Sequence, residues 1–246
     1  MCTLIVSFQQ HPDAPLVIAA NRDELRGRPA SGPTRWAGED FIAPRDEQAG
    51  GTWLGLTRAG MFVGVTNRYP SERHADRQSR GALVVEALKA QSARALHAHL
   101  ASLSPERFNT FHLLYADREA AFVTWNDGAH IHHSVLPAGL HVVTERSLGG
   151  DDHARTQLIE RAWPSLPVDG DGAPTAGGLQ MLLSTRVDDP AGSVCVDLPA
   201  LDYGTRSSLV LFVAPELSRS RWYWADGRPD RTPFVEQPAL IEALCR

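Results

Sequence analysis

Cys2-Thr3-Leu4-Ile5-Val6 and Leu16-Val17-Ile18-Ala19-Ala20-Asn21-Arg22-Asp23-Glu24 are two apolar runs separated by the turn-prone Gln10-His11-Pro12-Asp13-Ala14-Pro15. The pattern predicts strand, turn, strand, with four consecutive polar residues closing the second strand. An antiparallel hairpin folds its far end back beside its start. Cys2 and the Asn21 to Glu24 tetrapeptide are therefore expected at one edge of a sheet.

A small residue after the initiator permits removal of Met1, which leaves a thiol and a free α-amine on the same residue. An α-amine with a pKa of roughly 7.7–8.0 can take the proton of a thiol whose pKa is about 8.5, so nucleophile and base come preassembled. By residue type alone, a cysteine opening an apolar strand is ordinarily a small core residue. A polar tetrapeptide after a strand is ordinarily a solvated turn. Position and composition leave both readings open.

The 246 residues fit one domain spanning 1–246, and a globule of that size buries enough surface to fold without staples. Its three cysteines, Cys2, Cys195 and Cys245, are odd in number and widely spaced, which predicts no disulfide framework and a reducing, cytoplasmic setting. A formal net charge of -5 provides no basic field for nucleic acid. The first apolar run is short and lacks a basic leader, and no later run approaches the ~20 residues of a membrane span. Lys89 is the sole lysine, inside a predicted helix, so Schiff-base chemistry is not expected. Oligomeric state leaves no mark in the sequence.

Further along, residues 25 to 40 hold Gly27, Pro29, Gly32, Pro33 and Gly38 and read as a loop over the site mouth. Phe41-Ile42-Ala43-Pro44 reads as a short edge strand, because Pro44 cannot donate to a ladder. Gly50 and Gly51 permit close backbone approach or positive φ. Trp53 reads as core rather than pocket wall. The runs 54–57 and 61–66 flank Arg58-Ala59-Gly60 as a hairpin, and residues 68 to 80 as a polar surface loop. Helices are expected over 81–90, 93–103, 151–163 and 178–185. Strands at 108–115, 121–125, 129–135 and 140–144 suggest a meander, and 193–196, 206–213 and 221–224 complete the sheets, with Cys195 inert in mid-strand. His130 and His132 share a strand face suited to a metal. No third ligand stands at a recognisable spacing, so they read as solvent-facing and no metal site is expected.

Met-Cys-Thr-Leu-Ile-Val at the start, Ala-Ala-Asn-Arg-Asp-Glu at 19–24, Ala-Gly-Gly-Thr-Trp-Leu-Gly at 49–55, Thr66-Asn67 and Tyr203-Gly-Thr-Arg-Ser-Ser208 occur in order across nearly the whole chain. Together they resemble the NRDE family, which includes the transport and Golgi organisation protein 2 homologues. That family is in turn similar to the cysteine branch of the N-terminal-nucleophile hydrolases, among them penicillin V acylase, bile salt hydrolase and acid ceramidase. The resemblance implies an α+β fold, a four-layer αββα sandwich of two stacked, mainly antiparallel sheets, with Cys2 exposed by loss of Met1.

It further implies an amidase acting on a non-peptide linear C–N bond of a small-molecule amide. In that scheme Cys2 attacks, Asp23 holds its ammonium or thiol, Asn67 donates to the oxyanion, and Arg22 and Arg206 shape the charge around sulfur. Asn21 and Glu24 orient the neighbouring backbone and Arg22. At Glu145 the chain departs from the family pattern, in which an Asn is expected, and a carboxylate cannot donate unless protonated. No cofactor is required. The alternative that the resemblance carries is a haem- or lipid-trafficking protein that uses the same pocket for a hydrophobic ligand without turnover.

Overall fold

The computed structural model describes residues 2–69, 74–149, 154–190 and 192–246. In chain order its main elements are β1 (Cys2–Phe8), β2 (Leu16–Leu25), β3 (Ala30–Arg35), β4 (Phe41–Asp46), β5 (Leu54–Thr57) and β6 (Phe62–Asn67). Then come α1 (Arg80–Ala87), α2 (Ala93–Leu100), β7 (Phe111–Ala116), β8 (Ala121–Asn126), β9 (Ile131–Leu136), β10 (Gly139–Val143) and α3 (Ala154–Ala162). The chain closes with α4 (Ala176–Leu183), β11 (Asp197–Leu198), β12 (Tyr203–Val213), β13 (Arg221–Ala225), β14 (Val235–Glu236) and α5 (Pro238–Cys245).

Two seven-stranded antiparallel sheets form the centre, one ordered β10-β1-β2-β12-β13-β14 with β11 paired to β12, the other running β3 to β9 in sequence. Strand alternation sorts the apolar residues into layers. Leu4, Val6, Phe8, Leu16, Ile18, Leu209 and Leu211 point inward and meet Leu54, Leu56, Phe62 and Leu114 of the second sheet. Ile5, Val17, Ala19, Val210 and Phe212 point outward against α3 and α4. The second sheet's outer residues, among them Phe111, Leu113 and Tyr115, pack on α1 and α2. This is the expected αββα sandwich. Among the described residues no helix is long and apolar enough to cross a membrane.

Several local expectations change. Residues 30–35 are a strand, and it is β3, not β4, that forms the sheet edge. Pro44 survives inside the sheet because its missing donor falls in gaps on both sides. The β3 register breaks between Ser31 and Thr34, and the ladder to β5 ends at Ile42. The four-strand meander stops at three, since β10 crosses to the other sheet and pairs with β1. Residues 193–196 form no strand. Their backbone groups mostly go elsewhere: Asn21 Nδ2 donates to Val194 O, Val196 N to Thr205 Oγ1, and Cys195 N to Thr185 O, and only Val196 O accepts from the β12 backbone, at Thr205 N. Cys195 is nonetheless buried, and burial pushes its thiol up to about 11.

The C-terminal α5, absent from the sequence reading, lays Ile241 and Leu244 into the inter-sheet core. The acidic start expected for the third helix, Asp151-Asp152, and part of the expected 68–80 loop lie outside the described residues.

Candidate active site

The inward face of the β1–β2 hairpin is apolar until its last pair, Cys2 opposite Arg22. There the inter-sheet core gives way to a cavity of about 340 Å³, lined by Cys2, Arg22, Trp53 and Asn67 among others. Arg22 is held on two sides. Its guanidinium carbon lies 4.1 Å from the centre of the Trp53 ring, and its NH2 donates to Asp46 Oδ2 at 3.0 Å.

Asp46 is saturated. Oδ2 also accepts from Arg28 Nε at 2.7 Å, while Oδ1 accepts from the backbone of Gln48 and Ala49 at 3.1 and 2.9 Å. Glu24 stands 3.9 Å from Arg22 and 3.8 Å from Arg28. A planar donor fork locked by a carboxylate and an aromatic face presents a fixed positive charge beside the sulfur.

The outward face of the same hairpin end carries a second polar group, because alternation sends Thr3, Asn21 and Asp23 away from the cavity side chains. Asn21 is structural: Nδ2 donates to Leu183 O and Val194 O at 2.9 and 2.8 Å, and Oδ1 accepts from Ser208 Oγ at 2.6 Å. Asp23 Oδ1 accepts from Thr205 Oγ1 at 2.6 Å, whereas Oδ2 is buried with no hydrogen-bond partner among the described residues. Burial pushes its carboxyl up to about 6, against the opposing pull of Arg155 and the Thr205 hydroxyl. The backbone carbonyl of Asp23 faces the thiol at 3.8 Å and accepts from Tyr203 OH at 2.8 Å. Burial likewise raises the pKa of Cys2 itself.

Glu145 and Arg155 complete this outer layer. Arg155 NH1 donates to Glu145 Oε2 and to Thr3 Oγ1, both at 3.3 Å, and both charged side chains are buried. The position where the family pattern expects an amide thus holds a carboxylate paired with an arginine from α3. Asn67 stands at the end of β6, exposed to the cavity. Its neighbour Thr66 ties the two sides of the cleft: Thr66 Oγ1 lies 3.1 Å from His112 Nδ1 and donates to Thr144 O at 3.3 Å, and His112 Nε2 meets Ser147 O at 3.0 Å. Burial, reinforced by Arg68, drops the pKa of His112 to about 4, so it serves as a neutral spacer.

Cys2, Arg22, Asp23, Glu24 and Asn67 of the expected set are thus gathered around one cavity. Asn21 is turned to the helices behind it. Arg206 is not brought there: it falls at the register shift between Thr205 and Ser207 in β12, half-buried and outside the cavity lining. The sequence reading overlooked Asp46, which fixes Arg22, Arg28, which shares that carboxylate, and Arg155, which pairs with Glu145. Arg155 carried a signal, since it stands four residues before the buried Ile159 on the same helix face. Trp53 both packs against the core and walls the cavity.

The backbone around the site is tight as well. A Cβ at Gly51 would meet the Gly81 carbonyl carbon at 2.5 Å, and Gly50 has φ of 73°. Only glycines let the turn after β4 abut the start of α1.

Among solved structures, the Caenorhabditis elegans ortholog of N-acylethanolamine-hydrolyzing acid amidase superposes with a TM-score of 0.56 at 14% identity, over 86% of this chain and 92% of that one. A C2A mutant of conjugated bile acid hydrolase from Clostridium perfringens gives 0.51 at 10% identity, over 96% of both chains. These likenesses establish the αββα sandwich of the N-terminal-nucleophile hydrolases as the fold. In sequence, the chain is 28% identical to the Bos taurus transport and Golgi organization protein 2 homolog over 128 residues, 49% of this chain and 46% of that protein. The Homo sapiens homolog is also 28% identical, over 129 residues, so the match spans about half the length of these relatives. The family model described as Transport and Golgi organisation 2 matches residues 1–165. The chain belongs to the Transport and Golgi organisation 2 family.

Proposed function

We propose that this protein is a hydrolase in which Cys2, freed of Met1, attacks a small polar amide and cleaves its non-peptide, linear C–N bond. What supports the reading is Cys2 standing opposite Arg22 at the cavity wall, with a buried oxygen of Asp23, which has no hydrogen-bond partner among the described residues, one residue further along β2.

In the first step the α-amine takes the thiol proton as sulfur bonds to the carbonyl carbon. The π electron pair moves to the carbonyl oxygen, which accepts a hydrogen bond from the Asn67 amide. The ammonium then returns its proton to the leaving nitrogen as the C–N bond breaks, giving a free amine and a thioester on Cys2. Water, deprotonated by the same amine, attacks the thioester, and the released acid leaves the thiol restored. Asp23 orients the ammonium, and Arg22 favours the thiolate. The reading assigns no step to Arg206 and uses no cofactor.

The cavity argues for substrate size and polarity. Its 340 Å³ lies near the small end of the roughly 300–1,000 Å³ typical of ligand sites, and Trp53 and His74 are the aromatic side chains among its described lining residues. Small amides, including carboxylate-bearing N-acyl amides, fit that lining better than a haem macrocycle or an extended lipid.

The test is amine release from a panel of small N-acyl amides, with intact mass measured in parallel. The expected results are a mass lacking Met1, turnover that C2A abolishes, and a trapped acyl adduct on Cys2. Turnover that survives C2A, or an active protein that retains Met1, rejects the proposal. A Soret shift on haem titration that persists in C2A, with no amide cleaved, replaces the hydrolase with a carrier.

A further inference from the structure

The hairpin between β8 and β9 gathers three ligand-bearing side chains outside the Cys2 cavity. Ligand atoms of Asp127, His130 and His132 all lie within 4.8 Å of one another, and none of the three lines that cavity. The third ligand missing from the histidine pair in sequence comes from the turn. Asn126-Asp127-Gly128 reverses the chain, with Gly128 at φ of 104° and its N donating to Asn126 Oδ1 at 2.8 Å, and this sets Asp127 beside the strand carrying His132.

We propose that Asp127, His130 and His132 form a binding site for one divalent first-row transition ion, of which zinc is the probe.

Asp127 and His132 are held from behind. Asp127 Oδ1 accepts from the backbone N of Ala129 and of His130 at 2.9 and 2.8 Å, which leaves Oδ2 turned to the imidazoles. The His132 ring is stacked on Trp125, with centroids 4.9 Å apart and planes at 16°. His130 meets His132 edge-on, with centroids at 6.1 Å. The stack on Trp125 orients the His132 ring towards Asp127.

In the ion's absence His132 Nε2 and Asp127 Oδ2 hydrogen-bond at 2.6 Å. The ion takes the place of that shared proton, which leaves to solvent. With metal–nitrogen bonds of about 2.0–2.1 Å, ligand atoms must sit roughly 3–3.5 Å apart. Binding therefore requires the ligand atoms, now within 4.8 Å of one another, to draw together by about an ångström, which the exposed Asp127 and His130 are free to do. Two imidazoles and one carboxylate suit zinc, nickel, copper or cobalt and disfavour magnesium and calcium, which take oxygen ligands. Three protein ligands leave the remaining positions to water.

The experiment is calorimetric titration of the chelator-stripped, full-length protein with zinc chloride. One ion per chain is expected. H130A and H132A should each weaken binding by about tenfold or more with an unchanged circular dichroism spectrum. Calcium and magnesium chlorides should give no heat. Cobalt chloride should produce weak visible bands without a sulfur-to-cobalt charge-transfer band. No zinc heat, undiminished affinity in the H130A/H132A double variant, or a sulfur charge-transfer band pointing to cysteine ligation would each overturn the assignment.

Discussion

Thr205 Oγ1 donates to Asp23 Oδ1 at 2.6 Å across the β2–β12 ladder, and the other oxygen of the same carboxylate is sealed from water with no partner among the described residues. The pairing holds a carboxyl in place while leaving it half satisfied, and a buried acceptor left open is costly. Under the proposed hydrolase reading, that open oxygen is the one that holds the ammonium of Cys2.

A stability consequence follows from its titration. Asp23 titrates at about 6 in the folded chain, against 3.8 ordinarily, because burial disfavours its charge. Between those values the folded state holds a proton that the unfolded state has released, so stability falls as pH rises through the window. The total is about 3 kcal/mol at 1.36 kcal/mol per unit. D23N should flatten the slope and be more stable than the native protein at pH 7 while losing activity. Urea denaturation across the window checks it, and a native curve that rises with pH contradicts it.

The thiol should be sluggish towards simple reagents. Burial holds the pKa of Cys2 above its ordinary value, so at pH 7 little thiolate is present, and iodoacetamide alkylation should accelerate only as the solution turns alkaline. C2S and C2A should fold normally, since the side chain sits half-buried at the end of β1. Alkylation rates at several pH values and thermal melts of both variants measure this.

Removing Asp46 should cost more than removing a surface acid. Its carboxylate serves Arg22, Arg28 and two backbone donors, and Arg22 is only 5% exposed. D46A leaves the buried guanidinium only the Trp53 face and the more distant Glu24, 3.9 Å away, for a loss approaching about 3 kcal/mol. R22K keeps the charge but forfeits the stack on Trp53 and should lower turnover with a much smaller stability change. Denaturation midpoints and steady-state rates separate the two.

Glu145 and Arg155 should behave as a unit. R155A strands Glu145 in a dry layer and should destabilise by about 3–5 kcal/mol. R155M combined with E145Q should recover most of that loss, so the single effects will not add. Because Glu145 raises the Asp23 pKa, E145Q should also move the Asp23 titration towards acid. A double-mutant cycle in urea, with the Asp23 carboxyl followed by NMR, provides both readouts.

Hairpin β1–β2, the glycine turn at Arg58-Ala59-Gly60 and the hairpin turn at Asn126-Asp127-Gly128 were legible in the sequence, because alternation and turn chemistry act within about ten residues. The same locality makes Cys2 a neighbour of Asn21 to Glu24, and period-two alternation by itself separates Arg22 from Asp23 onto opposite faces. Other features depend on partners far along the chain. Residues 193–196 lose their ladder to Asn21 and Thr205, β10 leaves its meander for β1, Arg155 finds Glu145 and Thr3, and Arg206 falls at a register shift outside the cavity lining. The sequence by itself determined which residues could form strands and which of them carried reactive groups. Only the tertiary structure decided which of those groups share a cavity, because buried hydrogen bonds and charges are satisfied by whatever the packed layers bring within about 3 Å.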